Sequence, residues 1–251
     1  MSKKTIKSGV KMLSIIEGLK ELEGARITEL ADHLDMTKAT VHHHLSTLEQ
    51  EEYVVKENKT YYTGLRFLEL GERARDRLKI QKVAQPEIEK LATETGELAN
   101  VAVEEHGWVV YLYRARGEDA VHLDTYTGKR VLPHCTALGK AMIAHFDEQR
   151  VEEIISRFGL PANTEHTITD RDQLFQELEE IRKSGIAFDR EEAFSGLRCI
   201  AVPIVDNSGN AVGAISVSGP TSRMKGERFK KELPETIDRA ANVIELNITY
   251  S

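Results

Sequence analysis

Apolar side chains recur every three to four positions through the first quarter of the chain. Met12, Ile15, Ile16, Leu19 and Leu22 predict a helix over Lys11–Leu22, closed by Gly24. Ile27, Leu30, Ala31 and Leu34 predict a second helix. Val41, Leu45 and Leu48 predict a third behind Thr37, whose hydroxyl suits an N-cap. Only Asp35 and Met36 separate the second and third patterns, which is the short connection of a helix-turn-helix. The pattern then shortens. Tyr53–Lys56 and Thr60–Thr63 are two β-rich runs around Glu57-Asn58-Lys59, a hairpin of the kind that forms a wing.

With Val41, Leu45 and Leu48 facing inward, Ala39, His42, His43, Ser46 and Gln50 face outward, flanked by Lys38, Thr40, His44 and Thr47. These side chains are short or hydrogen-bonding, as a surface entering a DNA groove requires. A helical hairpin with a solvated face accounts for this segment equally well by itself. Three helices and a wing within 64 residues make DNA reading the stronger expectation. The candidate contacts are Thr37, Lys38, Thr40, His42, His43 and Ser46 on the third helix, with Lys56 and Lys59 at the wing. Adjacent helical residues point about 100° apart, so His42, His43 and His44 make a poor set for one metal ion.

Beyond the wing, Leu65–Gln81 reads as a charge-rich connecting helix, with Leu65, Leu68 and Leu78 available to a second subunit. Pro86 is expected to open the next helix, which runs to Thr95 and stops at Gly96. Strands are expected at Leu98–Glu104 and Trp108–Tyr113, around the two-residue turn His106-Gly107, and at Val121–Tyr126. Thr136–His145, Glu148–Phe158 and Asp170–Ser184 are helical in pattern. Ile200–Val205 and Ala211–Ser218 form a hairpin around Asn207–Asn210, and a helix over Lys225–Ile248 closes the chain. The expected class is α+β: a winged helix-turn-helix over 1–64, a connecting helix over 65–81, and an antiparallel sheet with flanking helices over 82–251.

Charge tempers the DNA-binding picture. The chain carries 34 Lys and Arg against 41 Asp and Glu, a net charge of −7, and residues 1–64 hold nine against ten. That is not the basic footprint of a typical DNA-binding domain. Affinity is therefore expected to rest on dimerisation, helix N-termini and the local lysines Lys3, Lys4, Lys7 and Lys11. No apolar run has the length of a membrane span, and the lysine-rich start lacks a signal-peptide apolar core. With only Cys135 and Cys199, far apart, the expectation is a cytoplasmic protein with reduced thiols and no membrane partner.

Two segments carry unusual chemistry. In Gly128–Ala141 a loop ends at Thr136, and Ala137 and Gly139 follow. Small residues at a helix start leave its amides open to a carboxylate or phosphate; they equally permit close helix packing. In Asp189–Ile204 an acidic cluster precedes Gly196 and a strand containing Cys199. On the paired strand Ser216 and Ser218 share one face. If that face is interior, the hydroxyls need partners, either local backbone or a polar ligand. Cys135 beside His134, with Asp189 elsewhere, superficially suggests a thiol hydrolase. Neighbours in sequence rarely reach nucleophile–base geometry, so no catalytic residue is expected. A metal-sensing alternative would draw on His122, His134, His145, His166, Cys135 and Cys199, none of them paired at zinc-site spacing. No metal or other cofactor is expected. An interaction module without a ligand is the remaining alternative.

Over essentially its whole length the chain resembles IclR-family transcription regulators. Three passages carry the resemblance: Thr37–Tyr53, HCTALGKA at His134–Ala141, and FDREEAFSGLRCIAVPI followed by GAISVSGP. It implies a winged-helix domain, a GAF-like effector domain, and homodimers or homotetramers on a palindromic double-stranded DNA operator. A small organic acid or related metabolite would tune DNA binding. Carried over by position, the effector contacts fall on Val131, Ala137, Leu138, Asp189, Cys199, Ser216 and Ser218. Two departures stand out: His43 and His44 where the family often has Arg then Leu, and Asp35 where it often has Gly.

Overall fold

The structure, a computed structural model, describes residues 5–123 and 125–250. Lys3 and Lys4 of the expected lysine cluster lie outside them. The chain divides into two compact units, Met1–Ala74 and Arg75–Ser251.

In the first unit α1 (Lys7–Glu21), α2 (Ile27–His33) and α3 (Lys38–Gln50) are followed by β1 (Val54–Glu57) and β2 (Thr60–Thr63). Ile15, Leu19, Leu30, Val41, Leu45, Leu48 and Tyr61 form its core. Helix α1 starts four residues before the expected Lys11. Thr37 caps α3 by accepting from the Thr40 N–H at 3.2 Å, and Asp35 holds the helix-turn-helix turn at φ 49°. That left-handed conformation is one a short polar side chain tolerates. Strands β1 and β2 pair antiparallel, with Asn58 at φ 59° in the turn. A bridge from Ala25 to Tyr61 ties the α1–α2 link to the wing.

The single connecting helix expected over Leu65–Gln81 is instead two elements. Helix α4 (Arg66–Asp76) ends, and α5 (Lys79–Thr95) begins after Arg77 and Leu78. Pro86 does not open a helix; it lies inside α5. The cause is nonlocal. Ile80, Ala84, Ile88, Leu91 and Ala92 form one apolar stripe running past the proline and are buried against the sheet. Pro86 itself is exposed on the outer side, so burial outweighs one lost backbone bond.

The second unit is built on six antiparallel strands, β3 (Leu98–Glu105), β4 (Trp108–Arg116), β5 (Arg130–Val131), β6 (Ala187–Arg190), β7 (Leu197–Val205) and β8 (Ala211–Pro220). Their order is β5-β4-β3-β8-β7-β6. His106 (φ 56°) and Gly107 (φ 86°) make the tight β3–β4 turn. The expected strand over Val121–Tyr126 is absent among its described residues: 121–123 and 125–126 form loop, and the adjacent edge strand is β5. Strand β6, hidden within the acidic cluster, is an addition to the sequence reading.

The two faces of this sheet differ. Val101, Val103, Ile200, Val202, Ile204, Ile215 and Val217 pack on α5 and the closing helix α9 (Leu233–Tyr250). On the other face Ala102, Ala187, Ala201 and Ala214 lie under α6 (Ala137–Ile143), backed by α7 (Glu148–Phe158) and α8 (Arg171–Ser184). Alanines let α6 approach closely, and Gly139 allows closer contact still, since a Cβ there would fall on the Pro133 backbone. Beside the start of α6, the same face turns polar.

Candidate functional site

On α3, Lys38, Ala39, His42, His43, Ser46, Thr47 and Gln50 are exposed opposite the buried Val41, Leu45 and Leu48, while Thr40 and His44 are half-buried. The His42 and His43 rings meet edge to face, 6.0 Å between centroids. Thr37 and Thr40 do not stand free: their hydroxyls lie 2.9 Å apart as part of the cap. At the wing, Lys56 sits 5.0 Å above the Tyr61 ring, and its hydrogen bond to the tyrosine hydroxyl raises the ammonium pKa. Lys59 is exposed at the turn.

In the second unit, register explains the polar patch. Asp189 on β6 faces Cys199 on β7, which faces Ser218 on β8, which faces Leu98 on β3. One step along, Ala201 faces Ser216, and Ser216 faces Asn100. Side chains directly opposite across antiparallel strands share a face, so two serines, an asparagine, a thiol and a carboxyl converge on one surface. They line a cavity of about 220 Å³ that also takes in Val131, Thr136, Ala137, Leu138, Cys135, Tyr111 and Trp108. Val131, Ala137, Leu138, Asp189, Cys199, Ser216 and Ser218, drawn from five separate segments, are thus brought together at one cavity.

Each polar member has a defined state. Asn100 donates its amide to the Ser216 hydroxyl at 3.2 Å, leaving the hydroxyl proton of Ser216 for another acceptor. Asp189 accepts from the Glu192 N–H at 2.7 Å and so orders the loop after β6. Burial and the neighbouring Glu192 charge push its carboxyl up to about 7. Burial, reinforced by Asp189, raises the Cys199 thiol well above its ordinary range, and Ser218 hydrogen-bonds to it. The helix start is less open than its sequence suggests. The Gly139 N–H donates to the Thr136 hydroxyl at 3.1 Å and is not offered to a ligand.

A residue the sequence reading passed over anchors this region. Lys140, wholly buried, holds both carboxylate oxygens of Glu192 at 2.6 and 2.8 Å and Glu177 at 3.2 Å. The available signal was a lysine inside an otherwise apolar helix. Its partners, 37 and 52 residues away, were beyond any local pattern.

Hydrolase geometry is not assembled. Cys135 donates to the Leu132 carbonyl at 3.4 Å and receives the Asn163 amide at 3.3 Å, and burial drives its thiol up to about 12. His134 bonds to the Pro161 carbonyl at 3.0 Å. Among the described residues no group of three or more His, Cys, Asp or Glu is placed to hold a metal ion. No helix there is long and apolar enough to cross a membrane.

Comparison with known proteins accounts for both units. Residues 10–58 match the IclR helix-turn-helix domain, and residues 72–246 match the bacterial transcriptional regulator IclR C-terminal domain. The probable HTH-type transcriptional regulator ArcR of Halobacterium salinarum is 33% identical over 247 residues, covering 97% of this chain and 94% of its own. The crystal structure of a putative transcriptional regulator from Rhodococcus sp. RHA1 superposes with a TM-score of 0.83 at 27% identity, over 98% of this chain and 99% of the other. An IclR homologue from Microbacterium hydrocarbonoxydans, complexed with 4-hydroxybenzoate, shares the fold at a TM-score of 0.80 and 23% identity, over 96% of this chain and 100% of the other. The chain belongs to the IclR family of transcriptional regulators, with a helix-turn-helix DNA-binding domain ahead of the family's C-terminal domain.

Proposed function

We propose that this regulator reads a palindromic operator through the exposed face of α3 and the wing, and that a small organic acid in the second unit's cavity modulates that binding. The observation that carries the effector half is the convergence of Asp189, Cys199, Ser216 and Ser218 with Val131, Ala137 and Leu138 at one polar cavity. Ser216 and Ser218 donate to the ligand, Asp189 accepts from a ligand hydroxyl, and Cys199 lines the wall. The homologue complexed with 4-hydroxybenzoate supports an acid bearing a hydroxyl.

On DNA, His42, His43 and Ser46 reach base edges. Lys38, Lys56 and Lys59 take phosphates, and Thr37 and Thr40 contribute mainly by ordering the helix start. A near-neutral reading unit neutralises few phosphates, so tight binding requires two half-sites and hence a homodimer or a homotetramer. The test compares operator and random duplex by fluorescence anisotropy. His43→Ala should cost about 1–3 kcal/mol on the operator alone. Lys59→Ala should weaken both duplexes alike and flatten the salt slope by about one unit. An unchanged operator-to-random ratio in His43→Ala contradicts the placement of α3.

A further inference from the structure

The cavity has a second polar end that none of the seven effector positions occupies. Arg114 on β4 is the cross-strand partner of Asn100 on β3 and therefore stands on the same sheet face. A bulge between Val101 and Ala102 sets this phase: Tyr111 and Arg114 face the cavity side although three positions apart. The buried side-chain atoms without hydrogen-bond partners include Asn100 Oδ1 and Thr125 Oγ1 at the cavity wall and Arg114 Nη2, whose residue stands next to Asn100 on the adjoining strand rather than in the cavity wall itself. Asn100 and Thr125 line the cavity, and Asn100 is only 2% exposed.

Arg75, Arg198 and Arg228 also carry a buried unpaired nitrogen, but each of them has another partner. Arg198 donates from both terminal nitrogens, to the Met224 carbonyl and Glu191, and Arg228 donates from Nη2 to the Thr95 carbonyl and Glu97. Arg114 has no hydrogen bond or ion pair to any described residue. Burial, together with the like charge of Arg116, lowers its pKa. A half-buried cation without a counter-ion destabilises the protein that carries it. Retaining one beside a cavity is explained if a ligand supplies the anion.

Charge decides the ligand's orientation. Asp189, Glu192 and Glu177 lie at the β6 end with Lys140 as their cation, so a carboxylate there meets repulsion. At the β4–β5 end the described lining residues carry no carboxylate: Asn100, Thr125 and Arg130, the last stacked 4.9 Å from the Trp108 ring, form the wall, and Arg114 adjoins Asn100. Four inter-strand steps separate Arg114 from Asp189, about 19 Å between backbones before the inward reach of the side chains. That span suits an elongated acid better than a two- or three-carbon one.

We infer that Arg114, with Asn100 and Thr125, receives the carboxylate of an elongated hydroxy acid whose far hydroxyl lies at Asp189, Ser218 and Cys199. The inference rests on the effector reading above and gives that effector a charge, a length and a direction.

The test measures binding of gluconate, 4-hydroxybenzoate and lactate, and of their neutral amides, to the full-length protein by calorimetry and thermal shift. Wild type should bind gluconate or 4-hydroxybenzoate at least about tenfold more tightly than the matching amide, and lactate weakly. Arg114→Gln should bring acid and amide to parity, whereas Arg114→Lys should keep part of the preference, because an ammonium supplies charge without the planar fork. Ligand-free Arg114→Gln should melt no lower than wild type, since it loses an uncompensated charge; a clear drop would mean a structural pairing and overturn the assignment. Acids bound no better than amides, or a preference that survives Arg114→Gln, overturns the inference and leaves the effector reading standing. If neither long acid binds wild type, this ligand class is refuted. Only when, in addition, no small molecule shifts wild-type melting does the effector reading fall with it.

Discussion

Helices α3 and α6 begin alike and end in opposite surroundings. Each opens on a threonine whose hydroxyl accepts an N–H three residues on, Thr37 from Thr40 at 3.2 Å and Thr136 from Gly139 at 3.1 Å. Each offers small or polar side chains after the cap. In α3 only Val41, Leu45 and Leu48 are buried and the other face meets solvent; in α6 all seven residues are buried. A cap marks where a helix starts but says nothing of what covers it. The neighbours of α3 lie within a few dozen residues, so its buried face follows from local periodicity. Helix α6 is enclosed by β3, β6, β7, β8 and α8, brought from across the second unit.

The largest expected effect breaks α6 from within. Lys140→Met leaves Glu192 buried without its cation and should destabilise the second unit by about 3–5 kcal/mol in urea unfolding. Lys140→Met with Glu192→Gln should recover much of the loss; failure to do so would mean that the lysine's packing matters more than its charge. Next comes Asp189. Its folded carboxyl lies near 7, against about 3.9 when unfolded. Between those values the folded state holds a proton that the unfolded state has released, so the contribution of Asp189 to stability is full below about pH 4 and is lost as pH rises to 7. Asp189→Asn should remove this decline, by up to a few kcal/mol, and flatten the unfolding free energy between pH 5 and 8. Gly139→Ala places a methyl against the Pro133 backbone and should cost about 1–3 kcal/mol by overpacking. Thr37→Ala on the exposed α3 should be the mildest change, about 1 kcal/mol for a lost cap. An α6 substitution as mild as Thr37→Ala would erase the contrast between the two helices.

The same contrast explains what was legible beforehand. Helices α1 to α3 and the wing follow from Ile15, Leu30, Val41 and Leu45 at helical spacing and from the turn at Asn58, all local signals. The hairpins at His106-Gly107 and Asn207–Asn210 are local as well. Pro86 misled because the apolar stripe of α5 is held by a sheet the proline does not touch. Val121–Tyr126 looked like a strand from its composition, yet strand formation needs a neighbour, and β4 pairs with β5 instead. The seven positions expected to contact an effector came from a resemblance carried by motifs. Lys140 and Arg114 did not appear, because the meaning of a buried charge lies in what faces it from distant strands and helices.

The most direct test of the whole account joins the two surfaces. Operator duplex selected from random DNA is titrated with wild type and with Ser216→Ala plus Ser218→Ala, each with and without saturating gluconate or 4-hydroxybenzoate. Wild-type operator Kd should change at least several-fold on adding the acid that binds, and that of the double variant much less, since each lost hydroxyl weakens ligand binding by about 0.5–1.5 kcal/mol. An acid that binds the cavity while leaving wild-type operator affinity untouched would contradict the account.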